Sequence, residues 1–136
     1  MKSLQQRRKQ GGEDLRQRPA VLVVDDEAVI RKTLSQILKT KGYMVETMET
    51  GKQAIAASKN RFFNVALIDA RLEDMEGTAL RDKLKETEPR MMRIIVTGHP
   101  SMDSAIEAVN RNANGYILKP LDVQELLGMI EKQLKK

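Results

Sequence analysis

Short apolar runs alternate along this chain with stretches whose apolar residues recur at helical spacing. The run AVLVV, residues 20–24, is typical of a strand that is covered on both faces. Later strand-like runs read YMVET, NVALID, RIIVT and GYILK. Because helical segments separate these runs throughout, the pattern predicts a parallel sheet with helices on both of its faces.

Five helical segments are predicted between and after these strands. The first ends near Lys41, the second is a short segment after Gly51, and the third runs over residues 77–88. The fourth is marked by Met102, Ala105, Ile106 and Val109, and the last by Val123, Leu126, Leu127, Ile130 and Leu134. The predicted fold class is α/β, a single doubly wound sheet of five parallel strands with five flanking helices.

Composition excludes several classes of site. The chain has no cysteine and one histidine among 136 residues, which excludes disulfides, thiolate metal sites and sites built on several imidazoles. No apolar run is long enough to span a bilayer, and the N-terminus lacks the apolar region of a secretory signal. We therefore expect a cytoplasmic protein without a membrane partner.

Positive charge is concentrated at the N-terminus. Residues 1–18 hold six basic and two acidic side chains, so they carry most of the net charge of +5. They lack apolar periodicity, and we expect a flexible basic tail or linker followed by one folded domain over residues 19–136. The nearly neutral folded part and an aromatic content of 3% disfavour direct nucleic-acid binding by this chain. The alternative function of this tail is contact with nucleic acid or with an acidic partner.

The predicted strands end in polar residues. The first is followed by Asp25, Asp26 and Glu27, and the third ends at Asp69. The fourth ends at Thr97 and Gly98, and the fifth at Lys119 and Pro120. Since the carboxyl ends of parallel strands meet at one edge of the sheet, these side chains are expected to form one site.

This combination favours phosphoryl chemistry. Clustered carboxylates suit Mg²⁺, which would relieve their mutual repulsion, while a lysine and a hydroxyl can bind the oxygens of an anion. Together they supply what phosphoryl transfer to an aspartate requires. Taken singly, each residue has an ordinary explanation as a helix cap, a turn residue, a strand exit or a surface charge. The prediction of phosphoryl chemistry rests on the occurrence of all these residue types together at the strand ends.

The chain resembles the receiver domain of two-component response regulators. The resemblance covers residues 19–136 and rests on VLVVDDE, VALIDARLEDMEG, IIVTGHPS and GYILKPLD, in the order and spacing of the family. It implies the flavodoxin-like strand order 2-1-3-4-5. It also implies that Asp69 is the phosphoacceptor, which attacks the phosphohistidine of a sensor histidine kinase.

The resemblance further implies the roles of the surrounding residues. Asp26 and Asp69 would bind Mg²⁺ directly, Asp25 would act through water, and the backbone carbonyl of Arg71 would be another ligand. Lys119 and Thr97 would bind phosphoryl oxygens, and Tyr116 would turn inward together with Thr97. The peptide bond before Pro120 is typically cis in this family, and Gly77 resembles the glycine that lets the loop after the acceptor turn.

Phosphorylation is expected to act as a conformational switch. It adds about two negative charges, and the conformer that binds the phosphoryl oxygens better gains population. The fourth helix, fifth strand and fifth helix form the surface through which family members usually dimerise or dock partners. The domain would catalyse only its own phosphorylation and dephosphorylation, so it is not an enzyme with a turnover substrate.

Two motifs depart from the family pattern, the loop after the acceptor and the residue pair before the fifth strand. Glu73 stands where a proline is common, which adds negative charge near the site and is expected to loosen the loop. Asn112 and Ala113 replace a common Gly-Ala pair. Arg71 and His99 occupy positions that tune the lifetime of the phosphoryl group, in a direction that the sequence leaves open.

Two other functions compete with this interpretation. One is a phosphorylation-independent, receiver-like interaction module. The other is a phosphatase of the haloacid-dehalogenase kind, which requires an Asp-x-Asp pair after the first strand, whereas this chain has Asp25, Asp26 and Glu27. No second domain follows Lys136 in these residues, so the chain is expected to be either a stand-alone receiver or a domain of a longer regulator or hybrid kinase.

Overall fold

The chain forms one five-stranded parallel sheet in a computed structural model that describes residues 18–98 and 115–135. The strands are β1 (Ala20–Val24), β2 (Met44–Met48), β3 (Val65–Asp69), β4 (Met92–Thr97) and β5 (Tyr116–Leu118). Their spatial order is β2-β1-β3-β4-β5, and every pairing is parallel. The predicted class and strand order are confirmed.

Four helices flank the sheet in the described part of the chain. They are α1 (Ala28–Thr40), α2 (Gly51–Asn60), α3 (Gly77–Thr87) and α4 (Val123–Leu134). The helix predicted around Met102–Val109 lies outside the described residues, as do His99, Asn112, Ala113 and residues 1–17. No described helix is long and apolar enough to cross a membrane.

Apolar side chains fill both faces of the sheet, as the continuous runs predict. One core contains Leu34 and Leu38 of α1 with Leu126 and Ile130 of α4. The other contains Ala54 of α2 with Leu80 and Leu84 of α3. All residues of β1, β3 and β4 are buried, so these three strands form the rigid centre of the domain.

The strand register sets the geometry of the site edge. Val24 pairs with Ile68, Asp69 with Val96, and Thr97 with Leu118. The four strands β1, β3, β4 and β5 therefore each end within about one residue of their neighbour in the sheet, and one strand residue rises by only about 3.3 Å. Polar groups that follow these ends must lie side by side.

A carboxylate from the loop over residues 70–76 holds the start of α2. The helix is capped by Thr50 and Gln53 in a capping box, and Asp74 accepts two further backbone hydrogen bonds. The N–H of Gly51 donates to Asp74 Oδ1 at 2.9 Å, and the N–H of Lys52 donates to Asp74 Oδ2 at 3.0 Å. Desolvation raises the pKa of Asp74, but these two donors, together with the backbone N–H of Asp74 and the charge of Lys52, lower the pKa overall. The loop after β3 is thereby fastened to a neighbouring helix.

Replacement of Asp74 by alanine is expected to destabilise the domain by about 1 kcal/mol, because two helix N–H groups lose their acceptor. Since the folded state lowers this pKa, the stabilisation is complete above the unfolded value near 3.8 and is lost as pH falls through the folded value. Urea unfolding at neutral and at acidic pH measures both effects. Glu73→Ala is the matched control and should change stability by less than about 0.5 kcal/mol. Equal losses for the two variants would contradict the assignment.

Candidate functional site

A cleft at the carboxyl edge of the sheet collects the predicted polar residues. It has a volume of about 320 Å³. Its lining comprises Asp26, Glu27, Asp69, Ala70, Arg71, Thr97, Gly98 and Lys119. Five of the predicted site residues therefore share one concave surface, namely Asp26, Asp69, Arg71, Thr97 and Lys119. Asp25 and Tyr116 stand beside this cleft rather than in its lining.

The acidic residues after β1 lie close together. Carboxylate oxygens of Asp25, Asp26 and Glu27 all lie within 4.8 Å of one another. Asp25 is buried, whereas Asp26 and Glu27 are exposed. Asp25 Oδ1 accepts the N–H of Glu27 at 2.8 Å, which turns the chain away from the strand. The group includes Glu27, which the predicted set of metal ligands omits.

Helix capping does not explain these acids. The N-cap residue of α1 is Glu27, and its side chain makes no capping hydrogen bond. Asp25 binds the N–H of the N-cap residue itself, not a donor in the first helical turn. The carboxylate of Asp26 is thus left in the cleft with Asp69.

Asp69 at the end of β3 and Lys119 after β5 form an ion pair that spans the end of β4, the strand between them. Lys119 Nζ lies 3.6 Å from Asp69 Oδ1, and the side chains are 32% and 11% exposed. The N–H of Arg71 also points to Asp69 Oδ1, at 3.4 Å. The N–H of Lys119 donates to the carbonyl of Thr97 at 2.8 Å, and the Lys119–Pro120 peptide bond is cis as expected. The ammonium group of Lys119 is thus directed at the carboxylate of Asp69, and both residues line the cleft.

Burial and mutual repulsion perturb two of the carboxyls. Desolvation raises the pKa of Asp69 above its usual value, and the charge of Asp26 adds to the increase, while Lys119 and the N–H of Arg71 act against it. Desolvation likewise raises the pKa of Asp25, together with the charges of Asp69 and Asp26. A cation bound between the carboxylates of Asp25, Asp26 and Asp69 would therefore stabilise their ionised forms.

The donor set fits Mg²⁺. Among the residues that the structure describes, it consists of carboxylate oxygens with no nitrogen or sulfur ligand, and the cleft has room for the water molecules that Mg²⁺ retains. Asp26 and Asp69 line the same cleft, and Asp25 adjoins them from the buried side. Arg71 lines the cleft as well, at the position where its backbone carbonyl is predicted to serve as a ligand.

The loop after Asp69 has several ties despite Glu73. The N–H of Ala70 donates to Val96 O at 2.9 Å, that of Gly77 to Ala70 O at 2.7 Å, and that of Leu72 to Met75 O at 3.1 Å. A Cβ atom at Gly77 would stand 2.5 Å from the carbonyl oxygen of Asp69, so the close approach of α3 requires glycine there. These contacts, with those of Asp74, do not support the expected loosening.

Thr97 and Tyr116 lie on the same face of the sheet as α3. Tyr116 pairs with Ile95, and Thr97 lies two residues further along β4, so both side chains share the face of Ile95. Tyr116 is half-buried and packs against the core that contains α2 and α3. Its hydroxyl accepts a hydrogen bond from Arg81 Nη1 at 2.9 Å. The tyrosine therefore points inward in this structure.

Sequence reasoning missed Arg81. The residue is 4% exposed, on the buried face of α3 with Gly77, Leu80 and Leu84. The signal was present in the spacing, because these four positions follow the i, i+3, i+4, i+7 pattern of a buried helix face. A charged residue within such a pattern must find a partner inside the protein.

Proteins with a similar sequence or fold include response regulators and their receiver domains. The chain is 35% identical over 118 residues to the DNA-binding transcriptional regulator NtrC of Salmonella typhimurium. The alignment covers 87% of this chain and 25% of that protein. A receiver domain protein (CheY-like) from Methanospirillum hungatei superposes with a TM-score of 0.80 at 39% identity, covering 87% of this chain and 94% of that one. The beryllofluoride-activated NtrC4 receiver domain dimer gives a TM-score of 0.77 at 36% identity, covering 85% and 96%.

The extent of these matches defines what the chain shares with its relatives. It spans about a quarter of the length of the curated regulators that it matches. The family model described as the response regulator receiver domain matches residues 21–131. That match covers β2 to β5 in full, β1 from its second residue, and all but the end of the last helix. The chain belongs to the response regulator receiver domain family.

Proposed function

We propose that Asp69 accepts a phosphoryl group from a sensor histidine kinase in a Mg²⁺-dependent reaction, and that this modification switches the conformation of the domain. The observation that carries the proposal is the ion pair between Asp69 and Lys119, at 3.6 Å, in a cleft that also holds Asp26 and Thr97. A nucleophilic carboxylate, a second carboxylate, a hydroxyl and an ammonium group are thus assembled at one strand edge.

The reaction is an in-line displacement at phosphorus. A carboxylate oxygen of Asp69 forms the new P–O bond, the P–N bond to the histidine of the kinase breaks, and the departing imidazole takes up a proton. Lys119 neutralises charge on the transferred oxygens, and its backbone is fixed by the bond from its N–H to Thr97 O. In dephosphorylation, water attacks the same phosphorus, the P–O bond to Asp69 breaks, and inorganic phosphate leaves.

Asp26 and Asp69 would hold Mg²⁺ directly, with Asp25 acting through water and the carbonyl of Arg71 as a further ligand. When bound, the ion neutralises the phosphoryl oxygens and thereby lowers the cost of bringing them to a carboxylate. Asp25 contributes by keeping a buried negative charge next to the ligands, and its bond to the N–H of Glu27 fixes its orientation.

Thr97 and Tyr116 would transmit the modification. The hydroxyl of Thr97 binds a phosphoryl oxygen, and Tyr116 occupies the inward position beside it. Both lie on the same face of adjacent strands, which supports their movement as a unit. The phosphoryl group then increases the population of the conformer in which both side chains point to the site.

The output surface is proposed to lie around β5 at the edge of the sheet. Leu118 of β5 is 55% exposed, a large apolar side chain on an edge strand. The NtrC4 receiver, a structure of a beryllofluoride-activated dimer, supports dimerisation as the output of this chain too. The proposed surface also includes α4 and the helix predicted around Met102–Val109, in a domain over residues 19–136 of a cytoplasmic protein.

Incubation with a small acyl phosphate and Mg²⁺ is expected to add one phosphoryl group, measured by intact-mass analysis. The adduct should be stable in acid but labile to base and hydroxylamine, as an acyl phosphate is. Asp69→Asn removes the nucleophile and should abolish the adduct.

Asp82→Asn is the matched control for this experiment, because its side chain is 67% exposed on α3. It should be phosphorylated like the unaltered chain. If beryllofluoride also fails to bind when no adduct forms, the phosphoacceptor proposal is wrong. The domain would then be a phosphorylation-independent interaction module.

Mg²⁺ should stabilise the domain because it offsets repulsion among the carboxylates. Since the folded state raises the pKa of Asp25 and of Asp69 above 3.8, the metal-free protein loses stability as pH rises from that value through the raised values. Asp25→Asn is therefore expected to raise the melting temperature in EDTA at neutral pH and to reduce the further increase on adding Mg²⁺. Glu86→Gln, an exposed change on α3, should leave both quantities unaltered. A lower melting temperature for Asp25→Asn in EDTA would count against this electrostatic account.

Beryllofluoride with Mg²⁺ is expected to double the molar mass in light scattering. Leu118→Asp places a charge on the proposed dimer surface and should keep the protein monomeric without preventing beryllofluoride binding. Val29→Asp is the control, because Val29 is 73% exposed but lies on α1. If both variants dimerise equally well, the β5 surface is not the interface.

A further inference from the structure

We propose that Arg81 is a positioning residue which, through its hydrogen bond to the Tyr116 hydroxyl, stabilises the inward conformer of the switch tyrosine. The inference rests on the proposed function, since it assigns a regulator to that switch. It starts from the contact between Arg81 Nη1 and the Tyr116 hydroxyl at 2.9 Å.

The burial of Arg81 makes this contact consequential. A guanidinium that is 4% exposed has lost most of its water, so its free energy depends on the protein groups that accept from it. Its Nε lies 3.4 Å from Asp82 Oδ1, a long contact to a side chain that is itself 67% exposed. The bond to Tyr116 is shorter and joins two residues 35 positions apart.

The bond favours one position of the tyrosine ring. With Tyr116 inward, its hydroxyl accepts a hydrogen bond from the buried guanidinium of Arg81. If the ring turns out to solvent, the buried guanidinium loses that acceptor. Hydrogen bonds to charged groups are among the stronger ones in proteins, so the inward conformer gains population from this contact.

Arg81 also connects the tyrosine to the phosphoacceptor loop. It lies four residues after Gly77, one helical turn into α3. The N–H of Gly77 donates to Ala70 O at 2.7 Å, and Ala70 directly follows Asp69. The first turn of α3 and these two hydrogen bonds, from Gly77 to Ala70 and from Arg81 to Tyr116, thus connect Asp69 to Tyr116 by a path separate from Thr97.

The expected consequence is a change in the affinity for a phosphoryl mimic. When a ligand prefers the inward conformer, its apparent Kd rises as the fraction of that conformer falls. Loss of the bond is expected to weaken beryllofluoride binding several-fold, up to about tenfold, a change of about 1.4 kcal/mol. Arg81→Leu and Tyr116→Phe remove opposite partners of one bond, so their effects should not add.

The test is a double-mutant cycle read by calorimetric titration with beryllofluoride in saturating Mg²⁺. Each single variant should weaken binding, and the double variant should be no weaker than the worse single variant. Arg81→Lys, which keeps a donor, should recover part of the affinity. Lys83→Leu makes a similar change on the exposed side of α3 and should bind as the unaltered chain does.

Three results overturn the inference. Unchanged affinity in Tyr116→Phe would do so, and this variant keeps the test valid even if Arg81→Leu fails to fold. Fully additive losses would show that Arg81 and Tyr116 affect binding independently of each other. If the unaltered chain binds no beryllofluoride, the proposed function fails and the inference with it, whereas normal binding with additive losses overturns the inference only.

Discussion

The repulsion among carboxylates at the carboxyl edge of the sheet is the constraint on which the site depends. Asp25, Asp26 and Asp69 are brought together because β1 and β3 are adjacent and in register. Burial raises the cost of ionising Asp25 and Asp69, and the pKa of each is raised accordingly. Lys119 offsets part of this cost from the end of β5, and the remainder favours the binding of a divalent cation. We propose that this repulsion among the carboxylates increases the affinity of the site for a divalent cation and a phosphoryl group.

The surrounding structure holds these carboxylates close together despite their repulsion. The buried strands fix the positions of the polar residues, and the ties of the loop over residues 70–76 prevent it from relaxing away from Asp69. Asp74 is central here, because it replaces the stiffness of an absent proline with two hydrogen bonds to the start of α2. Gly77 permits the closest approach of α3 to the carbonyl of Asp69. The acceptor is thus held by backbone contacts on both of its sides.

Sequence reasoning reached most of the architecture because the signals were local. The apolar runs and the helical periodicity predicted every described strand and helix. The strand ends predicted most of the residues that line the cleft, although Asp25 and Pro120 are not part of its lining. It failed where the outcome depended on contacts between distant segments. Neither the cap that Asp74 provides to α2 nor the bond between Arg81 and Tyr116 can be read without knowing which helices are neighbours. The charge within the apolar spacing of α3 was the one available hint of the second.

Chemical trapping of the phosphoryl group tests the central claim most directly. Borohydride reduces an acyl phosphate to an alcohol, so a phosphorylated aspartate becomes homoserine, which peptide mass analysis locates. After treatment with an acyl phosphate, we predict homoserine at position 69 in the presence of Mg²⁺ and none in its absence. Homoserine at position 25 or 26, or labelling that does not depend on Mg²⁺, would contradict the assignment of Asp69 as the acceptor in a metal-dependent site.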